Sequence, residues 1–345
     1  MNGQRILVVG GAGFIGGNLV TALLAQKIEA LVIVDNLLSS ERVNVPGDPR
    51  LTFIEGSIAS APVLQKIRDD FDYVFHLATY HGNQSSIANP LADHENNLFP
   101  TLRLYEHLKE FRRLKKLVYA ASGCTLAPHT LEKAEATPEE GQVPFELDSP
   151  YQISKVVGEF YSVYYHRQHG LPTVRARFQN VYGPGEILGA GAWRGTSATV
   201  WRNVTPTFVY RAIKNLPLPL ENSGSGTRDF ICVSDVVRGL LLCAGCGRAG
   251  EVYNLASGVE VSIRELAELI KELAGSTSPI ELSLGRDWDR SGKRFGSTEK
   301  AQRELGFSAE VPLREGLRRT IEWTREKLPL IEACIQKHAL HLQTA

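Results

Sequence analysis

The sequence predicts an α/β fold, a doubly wound parallel sheet with a smaller C-terminal lobe. Three observations carry that expectation. Short apolar runs rich in branched residues alternate with helix-like stretches through the first half of the chain; the first run breaks into a loop of spaced glycines; the second ends on an acidic residue. Alternating strand and helix patterns call for parallel strands joined by helical crossovers. At 345 residues the chain is long enough for two lobes with their own cores.

The first run, Arg5-Ile6-Leu7-Val8-Val9, is too short for a helix core and reads as a strand. It gives way to Gly10-Gly11-Ala12-Gly13-Phe14-Ile15-Gly16. Gly10 permits a tight turn, Gly13 lets the backbone approach a pyrophosphate, and Gly16 lets the following helix, residues 17–25, pack closely on the strand. A pyrophosphate there lies on a helix N-terminus. The second run, Ala30-Leu31-Val32-Ile33-Val34, ends in Asp35, where a dinucleotide-binding fold places the carboxylate that meets the adenosine ribose. Such a carboxylate repels a 2′-phosphate, so the expected cofactor is NAD rather than NADP.

Strand patterns continue at Leu51-Thr52-Phe53-Ile54, Tyr73-Val74-Phe75-His76-Leu77-Ala78 and Lys116-Leu117-Val118-Tyr119-Ala120-Ala121. In such a sheet ligands bind at the carboxyl ends of the strands, where the glycine loop, Asp35 and the segments after Ala78 and Ala121 all fall. The next helix opens Ser149-Pro150-Tyr151-Gln152-Ile153-Ser154-Lys155, which sets a phenol and an ammonium four residues apart on one face. A Lys cation near a Tyr hydroxyl favours the phenolate, the base needed to take a proton from an alcohol. After Arg177-Phe178-Gln179-Asn180-Val181-Tyr182-Gly183-Pro184, residues 185–203 are too irregular for the sheet and read as a loop of the second lobe. Arg228-Asp229-Phe230-Ile231-Cys232-Val233-Ser234-Asp235-Val236 restores a strand and a capped helix, and 263–274 and 313–327 are amphipathic helices. The expected division is a dinucleotide-binding domain over 1–180, with 229–257 returning to it, and a substrate-binding lobe over 181–345.

Charge and composition exclude several classes. With 38 basic against 38 acidic residues, nucleic acid is not the expected partner. The cluster Arg112-Arg113-Leu114-Lys115-Lys116 reads as a solvated helix end. No segment has the apolar length of a membrane span, and the N-terminal run lacks the features of a signal peptide, so a cytoplasmic protein with no membrane partner is expected. Five cysteines fit reduced thiols. Cys243 and Cys246 form a lone C-x-x-C without a second pair, so both are expected to be small apolar residues on a helix rather than zinc ligands, and no metal is expected.

Taken together, these residues resemble the extended short-chain dehydrogenase/reductase family, in particular its nucleotide-sugar epimerases and dehydratases, over nearly the whole chain. The marks are the Gly10/Gly13/Gly16 loop, Asp35-Asn36-Leu37, His76-Leu77-Ala78, Asn89-Pro90 with Asn96-Asn97, the strand ending Ala120-Ala121-Ser122, Tyr151 with Lys155 and Gly158-Glu159, Asn180-Val181-Tyr182-Gly183-Pro184-Gly185, and Arg228-Asp229-Phe230-Ile231. The resemblance implies a Rossmann domain and a homodimer in which helices near 97–111 and 151–166 pair. It implies that Ser122 hydrogen-bonds the substrate's 4-hydroxyl, that Tyr151 is the acid/base, and that Lys155 tunes Tyr151 and holds the nicotinamide ribose. Phe14 and Ile15 in the glycine loop, Asn36 after Asp35, Ser57 with Ile58, Leu77 with Ala78, and Asn97 complete the implied cofactor set. Asn203, Arg228 and Arg286 are implied to meet the diphosphate of a nucleoside-diphosphate sugar, and His81 and Asn180 to line the substrate. An Arg fork suits a diphosphate.

Departures from the family pattern bear on the reaction. The 4,6-dehydratases and decarboxylases usually carry a Glu two residues past the Ser/Thr, where this chain has Cys124, and without that acid simple epimerisation gains. Ser57 stands where the family has an adenine-contacting Asp, Pro100 replaces a Gly, and His81 stands where some 4-epimerases have Lys. The expected activity is therefore NAD-dependent inversion of C4 of a nucleoside-diphosphate sugar through a 4-keto intermediate. The alternatives are a 3,5-epimerase using Cys124 as acid/base, a decarboxylase or dehydratase, and a non-catalytic NAD-binding scaffold. Family 3,5-epimerases have a Lys where this chain has Val204.

Overall fold

A computed structural model describes residues 1–123, 130, 132–289 and 292–344. Its strands in chain order are β1 (Arg5–Val9), β2 (Ala30–Asp35), β3 (Leu51–Glu55), β4 (Tyr73–His76), β5 (Lys116–Ser122), β6 (Ala136–Thr137) and β7 (Thr173–Phe178). They continue as β8 (Asn180–Tyr182), β9 (Leu218–Glu221), β10 (Thr227–Arg228), β11 (Phe230–Cys232), β12 (Val252–Leu255), β13 (Val261–Ser262), β14 (Ile280–Ser283) and β15 (Phe295–Gly296). Helices α1 (Phe14–Leu24), α2 (Ala61–Leu64), α3 (Asn83–Ala88), α4 (Pro90–Asp93), α5 (Phe99–Leu108) and α6 (Pro150–His169) fall between the early strands. Later come α7 (Val204–Ile213), α8 (Val233–Gly245), α9 (Ile263–Ala274), α10 (Glu299–Leu305), α11 (Leu313–Glu326), α12 (Leu328–Gln336) and α13 (Ala339–Thr344).

The branched runs pair as expected. Seven strands form one sheet in the order β12-β7-β5-β4-β1-β2-β3, with β1 parallel to both β2 and β4. The chain thus builds outward from β1 to β3, then returns and builds the other way from β4. That reversal beside β1 is the switch point at which doubly wound sheets bind ligands. Leu7, Val9, Val34, Val74, Leu117 and Tyr119 bury one face of the sheet against Leu104, Tyr105 and Tyr165 of α5 and α6.

Two compact units emerge, each with its own core. The first comprises 1–122, 149–177 and 237–253; the second 123–148, 178–236 and 254–345. One break between the units falls at 177/178. The segment 123–148, expected in the first domain, groups instead with the second, and the return begins at 237 rather than 229. The physical reason is long-range pairing: β6 runs parallel to β15, and Glu139 Oε1 accepts from the Asn254 amide at 2.9 Å.

In the second unit, Tyr182, Phe208, Val209, Leu218, Leu220, Phe230, Leu266, Ile270, Leu317 and Ile321 form the main core. Helix α9 owes its sharp ends to a Ser262/Glu265 capping box and to Gly275, at φ 61°, closing the C-terminus. The stretch 185–203, read as irregular, is in fact braced. Ile187, Leu188 and Ala190 pack with Tyr210, Ile331 and Cys334, and Trp201 joins them. His338 donates from Nε2 to the Gly189 carbonyl at 2.9 Å, and Trp193 stacks on His341 with ring centroids 4.7 Å apart. Cys232 lies in β11 and is buried, as expected, and Cys243 is buried on α8; Cys246, however, is exposed just past the end of α8, so it does not serve as a core residue.

Candidate active site

The first unit assembles the glycine loop and the Tyr/Lys pair from separate strand ends. Gly10 has φ +87° and passes so close to Leu77 and Ala78 that a side chain would overlap their backbone. Gly16 would clash with the Gly10 carbonyl, whereas a Cβ on Gly13 would meet only that carbonyl, so the loop's outer side at Gly13 stays open. Helix α1 then begins with Gly13 as a cap that has no side chain to offer, and its first turn, including Phe14 and Ile15, holds no acid. An uncapped, acid-free helix start next to an open glycine fits a pyrophosphate.

Asp35 lies at the end of the adjoining strand. Its Oδ2 accepts from the Ala12 amide at 3.0 Å, and its Oδ1 accepts from the Leu37 amide and from Ser40 Oγ, both at 2.9 Å. The carboxylate is thereby fixed against the loop. It also holds Leu37 in the left-handed region (φ 57°), a costly place for a leucine. Asn36 Oδ1 turns back to the Leu38 amide, Ser57 Oγ to the Ala59 amide, and Ile58 is buried in the core.

Tyr151 and Lys155 lie in the first two turns of α6. Ser149 caps that helix, accepting from the Gln152 amide, and its hydroxyl donates to Asn83 Oδ1 at 2.8 Å. Ser86 Oγ accepts from the Tyr151 amide. The Lys155 ammonium is buried, donates to the Ala120 carbonyl at 3.0 Å and lies 5.8 Å from the Tyr151 ring centre. Gly158 makes this possible, since any side chain there would strike Tyr119 of β5. Glu159, the next residue, holds Arg177 of β7 through two hydrogen bonds of 2.9 and 2.8 Å. Ser122 is the last residue of β5, and the His81 ring lies 6.3 Å from that of Tyr151. Cys124 lies outside the described residues.

Behind the pair runs a buried network around Asn97, whose partners Asp93, Ser154 and Thr101 sequence reasoning missed. Asn97 sits in a single π turn, His94–Leu98, between α4 and α5. Its Oδ1 accepts from the Tyr80 amide (2.6 Å) and Thr79 Oγ1 (3.0 Å); its Nδ2 donates to the Tyr80 carbonyl (3.1 Å) and Asp93 Oδ1 (2.7 Å). The whole amide is engaged within the protein, which makes Asn97 the clamp on the segment after β4. Asp93 in turn accepts from Ser154 Oγ at 2.5 Å, tying this turn to the helix of Tyr151 and Lys155. Burial pushes the Asp93 carboxyl up, while Ser154, Asn97 and the Lys155 charge oppose it. Thr101 spends its only proton on the Asn97 carbonyl, so His76 must donate from Nε2 to Thr101 Oγ1. Burial first, and the Lys155 charge second, hold His76 neutral, with its pKa down at about 3.

The second unit carries the implied diphosphate donors. Asn203 precedes α7 and donates to Glu186 Oε1. Arg228 donates from Nη1 to the carbonyls of Thr227 and Gly292, both at 2.7 Å, and faces Asp289 at 3.8 Å. Arg286 forms a half-exposed ion pair with Glu221 at 2.8 Å and lies over the Trp288 ring. Asn180 opens β8, its amide bonded to the Asp229 carbonyl.

A parallel sheet with its glycine loop at the switch point, a fixed acid on the second strand and a Tyr/Lys helix defines the class of NAD-binding epimerases and dehydratases. The chain matches the model of the NAD dependent epimerase/dehydratase family over residues 6–256, and it belongs to that family. Among solved structures, the Bordetella bronchiseptica enzyme WbmF, in complex with NAD+ and UDP, is 57% identical, with 100% of this chain and 99% of that chain aligned and a TM-score of 0.90. The UDP-glucose 4-epimerase of Mycolicibacterium smegmatis is 30% identical over 94% of this chain and 99% of its own length. A dTDP-glucose 4,6-dehydratase of an Actinoplanes species is 29% identical over 93% and 98%.

Proposed function

We propose that this enzyme inverts C4 of a nucleoside-diphosphate sugar, with UDP as the nucleotide carrier. The observation that carries the reading is the buried Lys155 held beside Tyr151 on a helix anchored at both Ser149 and Glu159. NAD bound on the glycine loop supplies the acceptor and donor of a hydride. Tyr151 takes the proton of the sugar's 4-hydroxyl as that carbon becomes a carbonyl and returns it after the sugar has turned. The Lys155 cation favours the phenolate that does so. Ser122 hydrogen-bonds the same oxygen. Asn203 and Arg228 hold the diphosphate, and Arg286 joins them once drawn from Glu221. UDP as the carrier is supported by the nucleotide bound to the 57% identical WbmF.

Epimerisation is favoured over water elimination because the position two residues beyond Ser122 is Cys124, which offers no carboxylic acid. The test is incubation with UDP-, GDP-, CDP- and dTDP-sugars, uronic acids included, in deuterated water, with NMR of the products. The expected product is the C4 epimer of a UDP-sugar without deuterium on carbon. A 4-keto-6-deoxy product would assign a dehydratase, and deuterium at C3 or C5 would assign carbon-acid chemistry at Cys124.

The same reading extends to assembly as a homodimer. Ile153, Phe160 and Tyr164 are exposed on one face of α6, with Phe99 on α5 and Leu91 on α4 also exposed. Apolar side chains at this helical spacing form a stripe suited to a second copy. No described helix is long and apolar enough to cross a membrane. Five cysteines, an odd number in a chain of this size, accord with reduced thiols and a cytoplasmic setting.

A further inference from the structure

Glu186 is a carboxyl group buried beside the amide that the proposed function gives to the diphosphate. It is 5% exposed. Its Oε1 accepts from Asn203 Nδ2 at 2.5 Å, while its Oε2 is buried with no hydrogen-bond partner among the described residues. The charged group acting on it is Arg202, in the segment leading into α7, whose Nη2 donates to the Ala190 carbonyl at 2.7 Å and reaches the Thr199 carbonyl at 3.4 Å. Asn203 stands at the N-cap of α7, a position where Asn usually bonds its own helix, yet its side chain makes no cap bond and turns to Glu186 instead. The first turn of α7 holds no acid.

This arrangement sets two anions in competition for one amide. A diphosphate seated on Asn203 lies within a side chain's reach of Glu186, and two like charges that close cannot both stay ionised in a buried site. The side chain is already poised for the change, because burial, against the pull of Asn203 and Arg202, raises its carboxyl to about 7. We propose that Glu186 takes up one proton from solvent, on Oε2, when a nucleoside diphosphate binds at Asn203. The neutral acid keeps accepting from Asn203 at Oε1, and its unpartnered oxygen becomes a donor. No other bond forms or breaks. The inference rests on the assignment of Asn203 to the diphosphate and adds to it a pH dependence of substrate affinity.

The experiment is calorimetric titration of UDP-glucose, whose diphosphate has no group titrating near neutrality, into the NAD-loaded enzyme. It is run in buffers of different ionisation heat between about pH 6 and 8. The expected result is proton uptake that grows towards the alkaline end, with Kd rising by up to ~tenfold per pH unit above about 7. In Glu186→Gln, which keeps the acceptor for Asn203 but cannot titrate, both effects should vanish. Absence of uptake by the wild type overturns the inference without any variant. Weakened binding in Asn203→Ala, together with equal uptake by wild type and Glu186→Gln, overturns the inference alone. Unchanged affinity in Asn203→Ala overturns the diphosphate assignment and the inference together.

Discussion

In the proposed reaction Tyr151 and Lys155 divide one task, the phenol moving the proton and the buried ammonium lying 5.8 Å from its ring. Tyr151→Phe removes only the hydroxyl, because the bonds that anchor the start of α6 run through the Tyr151 amide, Ser149 and Ser86. Turnover is therefore expected to fall by about a hundredfold or more. The purified variant should still release NAD rather than NADP on denaturation, since Asp35 is untouched. Near-normal turnover in that variant would remove the centre of the mechanism. His76 makes a different prediction. Its folded pKa of about 3 lies below an unfolded value of about 6.5, so the unfolded chain binds the proton first. The stability contributed by neutral His76 is complete above about pH 6.5 and is lost as pH falls from there towards about 3. Between pH 7 and 5 the loss amounts to about 2 kcal/mol. Denaturant unfolding at the two pH values should show this slope in the wild type and a shallower one in His76→Gln, where Gln can still donate to Thr101.

At the scale of elements, the π turn at His94–Leu98 acts as the joint between the segment after β4 and helix α6. Asp93, Asn97 and Ser154 meet there, all three buried. Ser154→Ala removes the donor to Asp93 Oδ2 and is expected to cost about 1–3 kcal/mol of stability, read from denaturant midpoints. An unchanged midpoint would show that this bond does not hold the joint. Asn97 was marked by the family resemblance, but its partners were not legible from the chain, because a buried Asp looks like any other Asp and the Asp93–Ser154 contact spans 61 residues. Locally determined elements were legible. The helix read at 263–274 is found as Ile263–Ala274, its capping box and closing glycine both written in sequence, and 313–327 is found as Leu313–Glu326. The helix read at 17–25 begins three residues earlier, at Phe14, because the glycine loop turns directly into it. The stretch 185–203 read as irregular because much of its order comes from Ile331, Cys334 and His338, more than a hundred positions away, which periodicity cannot reveal.

The chain divides into two compact units, crossing between them at 122/123, 148/149, 177/178, 236/237 and 253/254. The first unit carries the glycine loop, Asp35 and the Tyr/Lys helix; the second carries Asn203, Arg228 and Arg286. The proposed dimer gives a prediction at this scale. Phe160→Glu places a charge in the exposed stripe of α6 and is expected to yield a monomer by light scattering, while a dimer of unchanged mass would show that this face is not the interface. A different consequence follows from the bracing of residues 185–203. Gly189 lies under the Cys334 carbonyl and accepts from His338, and Trp193 lies on His341. The last two helices are thus the outer wall of the segment that delivers Glu186 and Asn203. Shortening the chain before α12 should lower UDP affinity and leave dinucleotide content unchanged. On the proposed assignment of Asn203, a tag or fusion added at the C-terminus is expected to weaken the hold on the nucleotide, however far along the sequence it stands from the reacting carbon.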